Sequence, residues 1–106
     1  KMELPNLSYI HKLSGGDKDF EQKIIGVIKD EFPEEKAVYY QCLKEKNYLL
    51  TAEIVHKLKH KISILGLEKG YEVALAYEND LKDENSNRHL AFETILQNIT
   101  DYIKNF

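Results

Sequence analysis

From Asp17 to Phe32 the apolar residues Phe20, Ile24, Val27, Ile28 and Phe32 recur at offsets of 0, 4, 7, 8 and 12, a rhythm that a helix gathers onto one face and a strand scatters over two. Asp17 is placed to cap that helix. Pro33 is expected to break or kink it, yet Ala37, Val38, Tyr39, Cys42 and Leu43 resume the pattern up to the turn at Glu45-Lys46-Asn47. One long bent helix or two collinear helices are therefore expected. Leu4, Leu7, Ile10 and Leu13 give a short first helix with Pro5 near its start and Ser14-Gly15-Gly16 at its end. A third stripe runs from about Tyr48 to Leu65 and stops at Gly66, a residue suited to a left-handed C-terminal cap. Tyr71, Ala74, Leu75, Glu78 and Leu81 mark the next helix, closed by the polar loop from Lys82 to Asn87. The last helix begins near Arg88 and carries Phe92, Ile95, Leu96, Ile99, Tyr102, Ile103 and Phe106. No segment sustains strand alternation. The expected fold is all-α, an antiparallel up-down four-helix bundle with the short N-terminal helix capping one end, as a single domain over residues 1–106.

With 106 residues and 42% hydrophobic content there is room for one core. A charged fraction of 31% and a net charge of −3 give no electrostatic footprint for nucleic acid. Residues 17–36 and 68–84 are mostly acidic, and the one strong cationic cluster is Lys57, Lys59 and Lys61 with His56 and His60. No apolar run approaches the roughly 20 residues that cross a bilayer, and no signal-peptide core is present, so a cytoplasmic protein without direct membrane contact is expected. Lys1 precedes Met2, which fits either a segment of a longer protein or an extra residue ahead of a native start. Cys42, the single cysteine, falls on an apolar stripe and reads as a buried thiol.

His56 stands apart from this structural pattern. At 100° per residue, Lys59, His60 and Ser63 lie within about 60° of it, whereas Leu50, Ile54, Leu58 and Leu65 gather on the opposite side. An exposed neutral imidazole is a nucleophile at physiological pH, and a nearby ammonium can stabilise phosphoryl oxygens. Lys59 is one turn away.

The pattern His56-x-Leu58-Lys59, with Gly66 ten residues after the histidine, resembles the signature of the histidine-containing phosphotransfer (HPt) domain. Gly16-Asp17 and Phe20 resemble the family's opening of its second helix. The acidic, aromatic-bearing helix ending at Phe32 keeps the register, and Glu78 sits where the family has a glutamate on the following helix. The resemblance spans roughly residues 5 to 82. It implies that His56 accepts a phosphoryl group and that Lys59 steadies phosphate charge or reaches a partner carboxylate. It also implies docking of receiver domains on the face around His56, with Glu53, Lys57, His60 and Ser63 as contacts. Mg²⁺ would belong to the receiver; the domain itself needs no cofactor, acts as a monomer and performs no autonomous catalysis.

Three positions depart from the family: His60 where it usually has Gly, Lys61 where it favours a small residue, and Gly70 where it usually has an aliphatic. Lys61 leans toward the bundle on the helical wheel, so its amine is expected to snorkel outward. His56 and His60 are also an i, i+4 pair of the kind that shares zinc, but a metal needs more ligands, Glu53 is the only further candidate, and the lysines oppose a dication. No native metal site is expected. His11 and His89 read as partly exposed surface. Of the seven tyrosines, Tyr39, Tyr71 and Tyr102 fall on or beside core stripes, which suits packed rings with hydroxyls at the rim. No phosphate-binding glycine loop, cysteine metal set or serine-hydrolase motif is present. The rival expectation is a helical docking module for a receiver or kinase that is not itself phosphorylated.

Overall fold

The computed structural model describes residues 3–106; Lys1 and Met2, and with them the reading of the chain start, lie outside the described residues. These residues form an all-α protein of five helices: α1 Ser8–Ser14, α2 Lys18–Lys44, α3 Tyr48–Ile64, α4 Glu68–Lys82 and α5 His89–Ile103. No strand occurs among them.

Local chemistry sets the boundaries. Asp17 caps α2 by accepting from Phe20 N at 3.1 Å, and Asp19 and Glu21 add favourable charge to the first turn. Pro33 does not interrupt this helix. It cannot donate to the carbonyl of Lys29, but both residues are exposed, so water can replace the lost bond. Asn47 caps α3 through Leu50 N at 3.2 Å. At the other end Gly66 takes φ +78° and Leu67 N returns to Ile62 O at 3.2 Å, the closing bond of a left-handed C-terminal turn. Helix α4 has no capping side chain of its own. Glu3 supplies one from 66 residues away, its carboxylate accepting from Lys69 N at 2.9 Å and Gly70 N at 3.0 Å. Asn6 N meanwhile bonds Leu65 O at 2.8 Å. The segment before α1 is thus tied across the α3–α4 turn, and the helical reading of Leu4 gives way to a non-helical strap; of the expected stripe Leu4 and Leu13 are exposed, while Leu7 and Ile10 pack inward beside the buried Pro5.

Helix α3 packs most extensively against α4 and then α2. It runs antiparallel to α4: His56 meets Glu78, and Ile62 lies beside Gly70. A Cβ on Gly70 would come within 3.2 Å of Leu67 Cβ and 3.3 Å of Ile62 Cγ2, so glycine permits the helix approach that an aliphatic residue would push apart. The core joins Phe32 and Tyr39 of α2, Val55, Leu58 and Ile62 of α3, Ala74, Tyr77 and Leu81 of α4, and Phe92, Leu96 and Ile99 of α5.

The buried line of α2 is Ile25, Ile28, Phe32, Tyr39 and Cys42. Phe20, Val27 and Val38, expected on it, lie on its flanks and are exposed, as is Leu50 of α3. The helix has apolar residues over more than half its circumference, and only the arc facing α3, α1 and α5 is covered.

Candidate functional site

Helix α3 presents His56 to solvent with its side chain half exposed, while the neighbouring α4 supplies Glu78, nine-tenths buried. Glu78 Oε2 lies 3.0 Å from His56 Nδ1. A carboxylate only accepts, so Nδ1 carries a proton, and in the neutral ring Nε2 keeps its lone pair. The opposite oxygen, Oε1, lies 2.8 Å from Lys59 Nζ. Lys82 Nζ stands 3.8 Å from Oε2. Burial pushes the Glu78 carboxyl up, but the bonds and positive charges of Lys59 and His56 outweigh it and hold the group below its ordinary 4.5. The carboxylate is therefore a fixed anion that sets the tautomer and the ring orientation of His56.

This arrangement places Lys59 away from the open face of the site. Its 60° offset from His56 brings it onto the flank that α4 covers, where its side chain is buried and its amine lies 5.6 Å from the Tyr71 ring centroid. It is an internal cation that holds Glu78. The ammonium near the site but open to solvent belongs instead to Lys57, with Lys82 across the groove.

His60, Ser63, Glu53 and Lys57 are all exposed, as the helical wheel implies. His60 Nε2 is 3.3 Å from His56 Nε2, with the rings 4.8 Å apart at 85°. Since His56 Nε2 is an acceptor, any hydrogen bond here has His60 Nε2–H donating. A groove of about 500 Å³ opens beside His56, lined by Leu49, Ala52, Glu53, His56, Lys57, Glu78 and Lys82. Leu49, two-thirds exposed, is its missing apolar member. It precedes His56 by seven residues, two helical turns, so an apolar side chain on the histidine's own face was the signal that could have found it.

Lys61 does lean into the bundle, but its amine ends on carboxylates of α2, 2.8 Å from Glu31 and 3.0 Å from Glu35. Desolvation pulls the Lys61 amine down, and the two carboxylates more than reverse it. His11 pairs with Glu21 and His89 with Glu93, both away from His56. Cys42 is buried and its thiol is pushed up by burial and by Glu45 and Glu53, which disfavours the thiolate.

No group of three or more potential metal ligands occurs among the described residues, and no helix among them is long and apolar enough to cross a membrane. No protein-family model matches the chain, and no curated protein or solved structure matches it significantly.

Proposed function

We propose that this chain is a single HPt-like domain, an antiparallel four-helix bundle capped by α1, that carries a phosphoryl group on His56 Nε2 between aspartates of response-regulator receiver domains. The observation that carries this reading is the His56–Glu78–Lys59 chain: a half-exposed imidazole whose Nδ1 is occupied by a fixed carboxylate, leaving Nε2 as the outward nucleophile. In transfer, the Nε2 lone pair attacks the phosphorus of an aspartyl phosphate. The P–O bond to the aspartate breaks, and the carboxylate leaves with its electron pair. Nδ1 keeps its proton throughout, and Glu78 stabilises the positive charge that the ring acquires. In-line geometry and Mg²⁺ come from the receiver, so the domain is a carrier and not a complete catalyst. The groove with Leu49 and Ala52 offers an apolar seat for the partner, rimmed by Glu53, Lys57 and Lys82. Such a carrier works as a cytoplasmic monomer, free or joined to a hybrid kinase.

One observation favours the rival reading of a docking module that is not phosphorylated: His60 stands 3.3 Å from the nitrogen that must attack. Labelled phosphoryl transfer from a receiver domain to the parent chain and to His56→Gln separates the two. Acid-labile, alkali-stable label on the parent alone supports the carrier; receiver binding without label supports the module.

A further inference from the structure

We propose that His56 Nε2 and His60 Nε2 form a two-ligand clamp for a borderline divalent transition-metal ion, Zn²⁺ above all, and that the bound metal competes for the nitrogen that would take the phosphoryl group. The competitive part rests on the function proposed above; the clamp does not.

The distance between the two nitrogens, 3.3 Å, is the central observation. Two imidazole nitrogens bound to one tetrahedral zinc, each about 2.0–2.1 Å from the metal, stand roughly 3.3–3.4 Å apart. The pair is thus already at the bite of a chelate, and metal binding replaces the Nε2 proton of His60, whose neutral ring then carries its proton on Nδ1. Both residues are exposed, so an ion can reach them. The two rings meet edge to face at 85°, which keeps them from stacking and closing the site.

Glu78 completes the chemistry from behind. By holding the proton on His56 Nδ1 at 3.0 Å, it leaves Nε2 free to ligate and makes the ring a better donor, the carboxylate–histidine–metal arrangement. The lysine cluster, which in the sequence argues against a dication, is largely neutralised in the fold. Lys59 is paired with Glu78, and Lys61 with Glu31 and Glu35. Only Lys57 of the three remains without an ion pair among the described residues.

Among the described residues no third protein ligand joins the pair. Water must complete the coordination, so the ion exchanges and is not structural. Imidazole nitrogen selects Zn²⁺, Cu²⁺ or Ni²⁺ over Mg²⁺, which requires oxygen ligands and near-octahedral geometry. The Mg²⁺ that receiver chemistry needs therefore leaves the clamp empty.

The test is a ZnCl₂ titration of the whole chain followed by imidazole ¹⁵N NMR and by calorimetry. One ion per chain, with the His56 and His60 Nε2 resonances moving together, is expected. His56→Gln and His60→Gln should each weaken binding by about tenfold or more, whereas His11→Gln and His89→Gln should not. Equal affinity in His60→Gln, or shifts confined to His11 and His89, or no saturation below about 1 mM against the micromolar-to-millimolar range of weak sites, would overturn the clamp. For the competitive part, the ratio of receiver-driven labelling with and without Zn²⁺ is compared within each chain. Loss of label on the parent, restored by a chelator and smaller in His60→Gln, is expected; equal loss in both chains would overturn it. A parent that is never labelled would defeat the functional proposal, while the NMR titration would still decide the clamp.

Discussion

Lys59 Nζ lies 2.8 Å from Glu78 Oε1, and both side chains are more than nine-tenths buried. Truncating one member of a buried pair leaves the other charge uncompensated, at about 3–5 kcal/mol for full isolation. Here Lys82 and His56 remain near Glu78, so Lys59→Ala should cost about 2–3 kcal/mol, below that limit. Urea denaturation of the variant and parent measures it. Lys59→Met, which keeps the buried stem, should recover part of the loss. A change under about 0.5 kcal/mol would mean that the pair does not hold the helices together.

The same carboxylate gives the fold an acid limit. Glu78 titrates below its ordinary value in the folded chain, so the stability it contributes is complete above about pH 4.5 and is lost as pH falls through the lower folded value. Glu31, also lowered by Lys61, acts in the same window. Replacing Glu78 by Gln should therefore flatten, without abolishing, the fall in stability between pH 5 and pH 3. Thermal melts across that range are the measurement, and an unchanged slope would show that Glu78 is not ionised by these partners.

Helix positions and core stripes were legible because they depend on spacing alone: Ile28, Phe32, Leu58, Leu81 and Leu96 fall where the rhythm puts them. The burial of Lys59 against Glu78 was not, because a helical wheel shows which way a residue points but not which neighbour stands there. Lys61 marks the boundary between the two cases. Its inward lean was readable, and Glu35 breaks the buried line of α2, yet nothing local pairs residues 26 positions apart. Glu3 capping α4 is beyond local reading for the same reason. Of the two readings that Pro33 left open, the structure has the single long helix, because the carbonyl that the proline leaves unbonded is on the exposed side, where water can replace the bond.

Tyr39 anchors a second polar cluster inside the core. Its hydroxyl donates to Glu93 Oε2 at 2.8 Å, and since that uses its only proton, the Tyr77 hydroxyl, also at 2.8 Å, donates to Tyr39. Tyr39→Phe leaves the Tyr77 hydroxyl buried without that acceptor and should cost about 1–3 kcal/mol. Burial, reinforced by these bonds, raises Tyr39 far above the ordinary tyrosine value of 10.0, and burial pushes Tyr77 up to about 12. Stability from both hydroxyls is complete below pH 10 and declines as pH rises past it. Ultraviolet titration of the native chain at pH 11 should find Tyr39 and Tyr77 still protonated among the seven tyrosines; full ionisation without unfolding would contradict the network.

His60 should restrain transfer through His56. A neutral His60 that donates from Nε2 occupies the lone pair needed for attack, and a hydrogen bond of this kind is worth about 0.5–1.5 kcal/mol. His60→Ala removes the donor and the bulk while supplying a stronger helix former, so the histidine helix keeps its stability. Receiver-driven labelling of His56 should then be faster by roughly two- to tenfold, the rate equivalent of that bond. Glu78 continues to fix the His56 tautomer, so the acid lability of the product should not change. Single-turnover kinetics with a phosphorylated receiver in excess, in metal-free buffer apart from Mg²⁺, isolate the step from zinc. A slower variant would reverse the assignment and make His60 a group that helps to hold the incoming phosphoryl oxygens, as a cation or donor one turn from the nucleophile can.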